Sequence, residues 1–561
     1  MSKITGSEAL LRTLIAEGVE CVFGYPGGQA IPIYDALYEY RDRLRHVLVR
    51  HEQGATHAAE GYARVSGKIG VVIVTSGPGA TNTITGIADA MLDSTPIVVI
   101  SGQVPSPLLG TDAFQEVDVI GIAQPITKWA YQIRRAEDIT WAVSRAFYIA
   151  STGRPGPVVI DIAKDAQVGL VEYDYQRVDY IRSYQPWPPL EPERIQQAAH
   201  LINRAKRPFA LVGQGVILSG AEEELKMFLE KANIPAASTM LGLSAMPSNY
   251  RLNKGMLGMH GNIGPNRKTN ECDVLIAIGM RFDDRVTGDV KTYAKQAKII
   301  HLDVDLSEMD KNVKTDVKVL GNAKDTLREI TKLLHPAKHT NWLNSFHADE
   351  HEERKKVIDN ELRLNRGLLR MGEVIRKVSE ATDHKAVLVT DVGQNQMMSV
   401  RYFKFSQTRS LVTSGGLGTM GFGLPAAIGA KIGAPDRTVC LFVGDGGMQM
   451  TLQELGTIMQ ENLNIKIILL NNHFLGMVRQ WQELFFKERY SFTEMDNPDF
   501  VAIAKAFKMG AREVNKRSDL ANAIKEMIDY PGAFLLVVEV EKFSKVYPMV
   551  PVGNCITEMI Y

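Results

Sequence analysis

Short runs of β-branched and aliphatic residues recur along the whole chain, separated by stretches in which apolar positions return every three or four residues. In the first third, the runs at 71–75, 97–100 and 158–162 read as strands buried on both faces. Those at 209–212, 274–278 and 299–302 do so in the middle, and those at 387–390, 439–443, 467–470 and 534–540 in the last third. Buried strands alternating with amphipathic helical segments predict parallel sheets flanked by helices, an α/β fold. Every apolar run stops far short of the roughly 18 residues that a membrane span needs.

A chain of 561 residues exceeds what one hydrophobic core organises, and the pattern predicts three units. They are expected at 1–180, 190–340 and 365–545, each with a mostly parallel sheet, followed by a tail at 546–561 that either closes over a site or lies in solvent. The segment 184–192 is rich in proline and aromatic residues and cannot continue a helix or a central strand, so it reads as a linker. The second connection, 333–366, holds His335-Pro336 and then Glu352, Glu353, Arg354, Lys355 and Lys356, a composition expected of a solvated crossing helix. Lys plus Arg balance Asp plus Glu at 64 each, which removes the electrostatic reason for a nucleic-acid or acidic-membrane partner. Cys21, Cys272, Cys440 and Cys555 lack metal-ligand spacing and read as buried thiols. The first ten residues carry Lys3 and Glu8 but no long apolar stretch, so the expected location is a cytoplasm.

Candidate chemistry concentrates in three places. Gly444-Asp445-Gly446-Gly447 follows the strand at 439–443, and Asn471-Asn472 ends the strand at 467–470. Both therefore reach the carboxyl edge of one sheet, where open α/β sheets bind ligands. A carboxylate and an amide oxygen at neighbouring strand ends are hard ligands, suited to a Mg²⁺ ion that also keeps phosphate and water. Taken singly, Asp445 reads as a helix cap and the asparagines as a turn; the pair favours the metal. The second place is His51-Glu52-Gln53, where Glu52 by itself is an acid at a helix start. The third is 414–425, a glycine-rich stretch in which Met420 is the one long, adaptable apolar side chain.

A GDG turn, a helix, a strand and then NN resemble the diphosphate-binding motif of thiamine diphosphate enzymes. Position by position, the resemblance implies that Asp445, the Asn472 side chain and a backbone carbonyl at Phe474 hold the Mg²⁺, with Gly444, Gly446 and Gly447 around the diphosphate. It implies that Glu52 hydrogen-bonds the cofactor's pyrimidine, that Met420 wedges between the two rings, and that Val392 and the Gly418 carbonyl contact the pyrimidine. Further residues narrow the resemblance to the large, catalytic subunits of biosynthetic acetohydroxyacid synthases: 23–28, 111–116, Lys128, 258–261, 281–286 and 476–481, within similarity running from about Thr5 to Pro551.

The implied reaction is decarboxylation of pyruvate and transfer of its two-carbon hydroxyethyl unit to a second 2-ketoacid, pyruvate or 2-ketobutyrate. The acceptor is anionic, and a guanidinium fork orients a carboxylate well, which points to Arg281; an ion pair with Asp283 or Asp284 is its other reading. Trp481 is expected to shape the acceptor pocket. Gln115, Lys128 and Phe114 are expected to line its entrance, with a generic core or surface role as the alternative for the last two. The middle unit resembles an FAD-binding domain through Arg154, Gly213-Gln214-Gly215, Thr239, His260, Gly261, Gly279, Arg281 and Asp303, with a structural role for the flavin. The resemblance further implies a homodimer or homotetramer and a small regulatory subunit. A pyruvate oxidase-like thiamine and flavin enzyme is the alternative among near relatives. Glyoxylate carboligase fits less well because Glu52 is present, and intact Glu52, Asp445 and Asn472 argue against a catalytically silent binding protein.

Overall fold

A computed structural model of the chain describes residues 3–363 and 367–561. It contains three six-stranded sheets, every pairing within them parallel, with helices on both faces. All ten strands legible as apolar runs lie in these sheets, and the α/β class is as expected.

In the first unit the spatial order is Arg45–Leu48, Cys21–Gly24, Gly70–Val74, Ile97–Gln103, Val158–Ala163, Trp129–Ile133. In the third it is Leu411–Val412, Val387–Thr390, Val439–Gly444, Ile465–Asn471, Phe534–Glu539, Gly510–Val514. Counting strands along the chain within each unit, both orders are 2-1-3-4-6-5, so the first and third units share a topology. The middle sheet runs Asn253–Met256, Ala236–Ser238, Pro208–Val212, Val274–Ile278, Lys298–Asp303, Val317–Leu320, which is 3-2-1-4-5-6, the order of dinucleotide-binding folds. The strand order reverses between Pro208–Val212 and Val274–Ile278, which opens a crevice at their carboxyl ends.

The first and third units share one core, built around the helices Glu52–Ser66 and Gly423–Gly433. Their backbones approach so closely that a Cβ at Gly61 would overlap the Ala426 carbonyl and one at Gly429 the Ala58 carbonyl. Only glycine permits this contact, which holds the middle of the helix Glu52–Ser66 against Gly423–Gly433.

Two connections differ from expectation. The linker ends at Pro192, which is the first residue of the helix Pro192–Arg204, a position where proline's missing N–H costs nothing. The second connection is not a solvated helix. Trp342 and Phe346 of Thr340–Glu353 are buried, the Trp342 Nε1 donates to the Pro208 carbonyl at 2.8 Å, and Glu353 is enclosed. A π-helical stretch Arg354–Ile358 and the helix Asp359–Leu362 follow; residues 364–366 of this connection lie outside those described.

The tail packs on the middle unit. Val550 and Ile556 enter its core, Cys555 pairs with Gly288, Met549 pairs with Ile560, and Lys356 covers the Tyr561 ring at 4.4 Å. Cys21, Cys272 and Cys440 are buried, whereas Cys555 is half-buried because the tail lies across the surface. Among the described residues no helix is long and apolar enough to cross a membrane.

Candidate active site

Asp445 follows the strand Val439–Gly444 and opens the helix Asp445–Met450; Asn472 follows Ile465–Asn471, the adjacent strand. Asp445 is 1% exposed, and the Asn497 amide donates to its Oδ2 at 2.7 Å and to the Asn471 Oδ1 at 2.9 Å. Burial pushes the Asp445 carboxyl up, and the Asn497 bond opposes this in part. Among the described residues no basic side chain pairs with it within 4.0 Å, a state that a buried carboxylate reaches only at a cost unless a cation joins it. The Asn472 amide donates to Gln394 at 3.1 Å, and its oxygen accepts from the Phe474 N–H at 3.2 Å. Backbone pairs Leu475 N to Thr493 O and Met495 N to His473 O flank Phe474, leaving its own carbonyl without a hydrogen bond among the described residues. A carboxylate, an amide oxygen and a free carbonyl on adjacent turns are a donor set that fits a hard divalent ion.

Around this set, Gly446 faces Leu475, Met495 and the Met420 methyl so closely that a Cβ there would collide with Leu475. Met420 thus reaches over the GDG turn. Gly447 lies against the Asp391 carboxylate, and Gly444 against Asn395. Asp391 was not singled out from the sequence, yet it organises the site: its oxygens accept from the N–H groups of Val392 at 2.8 Å, Gly421 at 3.1 Å and Gly423 at 2.8 Å. The only signal for it was its place at a strand end. Trp481 sits on Gly476–Phe485, its ring tilted against Phe485 at 5.3 Å.

Glu52 lies on the first unit, at the start of its helix, with its Oε2 accepting from the Asn82 amide at 2.9 Å. Gln115, at φ +61°, packs on Gly77 of the same turn. Phe114 beside it is 84% exposed. Among the described residues no hydrogen bond joins Glu52 or Gln115 to Asp445, Asn472 or Trp481. Glu52 and Gln115 lie on the first unit and Asp445, Asn472 and Trp481 on the third, so the candidate residues form two groups. Lys128 belongs to neither: its ammonium is spent on the Ile149 and Thr152 carbonyls, the latter at 2.7 Å, and on the Tyr184 hydroxyl at 3.0 Å. Burial lowers its pKa to about 7, and its position closes the C-terminus of the helix Ile139–Ser151.

The middle-unit crevice is a cavity of about 600 Å³, a size typical of ligand sites. Arg154, Gly215, Thr239, His260, Gly279, Arg281 and Asp303 line it, together with Val392 and Gly418 of the third unit. Gly213 and Gly215 pack directly on Gly279, which has φ +55°; side chains here would close the strand-end turns. The Thr239 hydroxyl accepts from the Gly242 N–H at 3.2 Å, and the Gly261 carbonyl is bonded to Arg401. Arg154 bonds Asp305 at 3.2 Å and Glu308 at 2.7 Å, two acids missed from the sequence. Arg281 makes no ion pair within 4.0 Å among the described residues, and its guanidinium approaches Gly416 instead of Asp283 or Asp284. Burial raises Asp303 to about 7 and lowers His260 to about 4, the latter with help from the Arg401 charge. Two guanidinium groups, carboxyls and exposed backbone at a topological switch point fit a phosphate-bearing, hydroxyl-rich dinucleotide.

Comparison with known proteins agrees with this architecture. Residues 4–122 match the N-terminal TPP binding domain of thiamine pyrophosphate enzymes, 195–330 the central domain and 391–538 the C-terminal TPP binding domain. The chain is 42% identical to the acetolactate synthase large subunit of Haemophilus influenzae, over all of this chain and 98% of the relative. It is 43% identical to the acetolactate synthase large subunit of Lactococcus lactis, over 99% of this chain and 96% of the relative. It is 42% identical to the acetolactate synthase isozyme 2 large subunit of Escherichia coli, over 99% of each. With all three domain types in order and full-length identity at this level, the chain belongs to the thiamine pyrophosphate enzymes, in the group of acetolactate synthase large subunits.

Proposed function

We propose that the protein is an acetolactate synthase that decarboxylates pyruvate and transfers the two-carbon hydroxyethyl unit to a second 2-ketoacid. With pyruvate as acceptor the product is 2-acetolactate; with 2-ketobutyrate it is 2-aceto-2-hydroxybutyrate, and both lead to branched-chain amino acids. The observation that carries the reading is the buried Asp445 carboxylate, without a basic partner among the described residues, just after the strand Val439–Gly444 and beside the strand that Asn472 follows.

Thiamine diphosphate, when bound, supplies the nucleophilic carbon that cleaves the ketoacid. Asp445, the Asn472 oxygen and the Phe474 carbonyl would hold the Mg²⁺ that neutralises its phosphates. Glu52 would share a proton with a ring nitrogen of the cofactor, a role suited to a half-buried carboxyl already oriented by Asn82. Met420 would fill the space under the cofactor's bend. Arg281, without an ion-pair partner among the described residues, is free to take the acceptor's carboxylate, and Trp481 would bound the acceptor's alkyl group.

FAD is assigned to the middle-unit cavity, a structural role with no net redox change. The active unit is at least a homodimer, in which the Glu52 group of one chain serves the Asp445 group of another. Exposed Phe114 on one half and Val478, Phe485, Phe486 and Phe492 on the other are apolar surface that such pairing would cover. The relatives' designation as large subunits supports a small regulatory partner, and a biosynthetic role of this kind places the protein in the cytoplasm.

Purified chain with pyruvate, thiamine diphosphate, Mg²⁺ and FAD is expected to form acetolactate without consuming oxygen. Oxygen uptake matching pyruvate loss would instead establish an oxidase, and absence of both reactions would remove the catalytic reading. Omitting FAD tests its role in the same assay.

A further inference from the structure

We propose that the buried ion pair between Arg401 and Glu353 is a positioning element that ties the flavin cavity to the metal-binding turn, so that filling one site tightens the other. The inference rests on the flavin assignment above.

Arg401 lies in the last turn of the helix Gln394–Tyr402, and its side chain is 2% exposed. Its guanidinium donates to the Glu353 carboxylate, to the His260 carbonyl at 2.6 Å and to the Gly261 carbonyl at 2.8 Å. Glu353 ends the helix Thr340–Glu353; its Oε1 also accepts from the Asn262 amide at 2.6 Å and its Oε2 from the Ile263 N–H at 2.8 Å. Three segments, from the middle unit, the third unit and the connection between them, thus close on one buried pair of charges. The loop they grip carries the buried His260 ring into the cavity.

The other end of the same helix touches the metal turn. The Gln394 oxygen accepts from the Asn472 amide at 3.1 Å, while its amide donates to Gln480 at 3.2 Å and to the Ser544 carbonyl at 2.8 Å. In between, Gln396 and Met397 face the cavity, and Gln396 bonds the Ser414 carbonyl at 2.8 Å. A helix of this length, about 14 Å at 1.5 Å per residue, moves as a rigid strut. A ligand that orders the His260 loop therefore restrains Arg401, the helix and Gln394, and with it the orientation of the Asn472 amide. By linkage the effect is reciprocal.

The test is titration of the full-length protein, freed of ligands, with FAD, followed by flavin fluorescence, with and without thiamine diphosphate and Mg²⁺. Wild type is expected to bind FAD at least about fivefold tighter in their presence. Arg401→Lys keeps the charge but loses the fork to two carbonyls, and the double variant Arg401→Gln with Glu353→Gln removes both charges without leaving one unpaired. Each is expected to bind FAD with a coupling factor near one, and to show a raised KM for thiamine diphosphate with kcat preserved at saturation. Should Arg401→Lys not fold, the double variant decides. Failure of wild type to bind FAD overturns the flavin assignment itself. FAD binding with no coupling in wild type, or with coupling unchanged in the variants, overturns this inference alone.

Discussion

Asp445 and Asp89 are both buried acids, and burial has a different use at each. Asp445 ends a strand where a cation can reach it. Asp89 is enclosed at the junction of the first and third units, near His57 and Glu60. Burial first, and then the charge of Asp93, raise Asp89 from 3.8 to about 6. Because the folded value is above the unfolded one, the favourable contribution is present below about pH 4 and is lost as pH rises through about 6. Asp89→Asn stays neutral throughout, so its stability relative to wild type is expected to improve between pH 4 and 7 by up to about 3 kcal/mol. Denaturation midpoints at the two pH values check this; a gap that does not widen means that Asp89 is ionised in place. Trp481 is proposed to act on specificity. Truncation to leucine is expected to erode the preference for 2-ketobutyrate over pyruvate by about 1–3 kcal/mol, and an unaltered product ratio in a competition assay would remove Trp481 from the acceptor pocket.

Helices and strands differ in how much of them the amino-acid pattern reveals. Central strands such as Val274–Ile278 and Val439–Gly444 are covered on both faces, so their composition is continuously apolar and legible. Edge strands such as Asn253–Met256 and Gly510–Val514 are half-exposed, mixed in composition, and were not legible. Cys21–Gly24 is fully buried but has only four residues and ends in glycine, too short to show a period. The crossing helix misled in the opposite direction: Glu353 reads as a surface charge, and Arg401, Asn262 and the Ile263 N–H, all far away in the chain, make its burial tolerable. The contact between Glu52–Ser66 and Gly423–Gly433 carries its own prediction. Gly429→Val would drive a side chain into the Ala58 carbonyl, and overpacking at such a backbone contact is expected to cost about 3 kcal/mol. A denaturation midpoint equal to that of wild type would show that the helices can part without loss.

At the scale of the molecule, the proposed pairing of the Glu52 group of one chain with the Asp445 group of another would make activity a property of paired chains. Glu52→Gln and Asp445→Asn are each expected to be nearly inactive alone. After unfolding and refolding together they are expected to recover about a quarter of wild-type activity, because half of the dimers would be mixed and each would hold one intact site. No recovery from a mixture shown to exchange subunits would place both residues in the same chain's site. The α/β class and the three units were determined by the sequence itself, since buried strands and glycine turns are local and leave their composition in the chain; the same turns supplied the proposed metal-turn residues. What tertiary structure alone decided was which distant groups meet: Asp391 beneath the Met420 loop, Lys128 on a helix end, the acids around Arg154, and Glu353 with Arg401. A side chain's charge and polarity are written in the sequence, but its partner and its degree of burial arise only when the sheets pack.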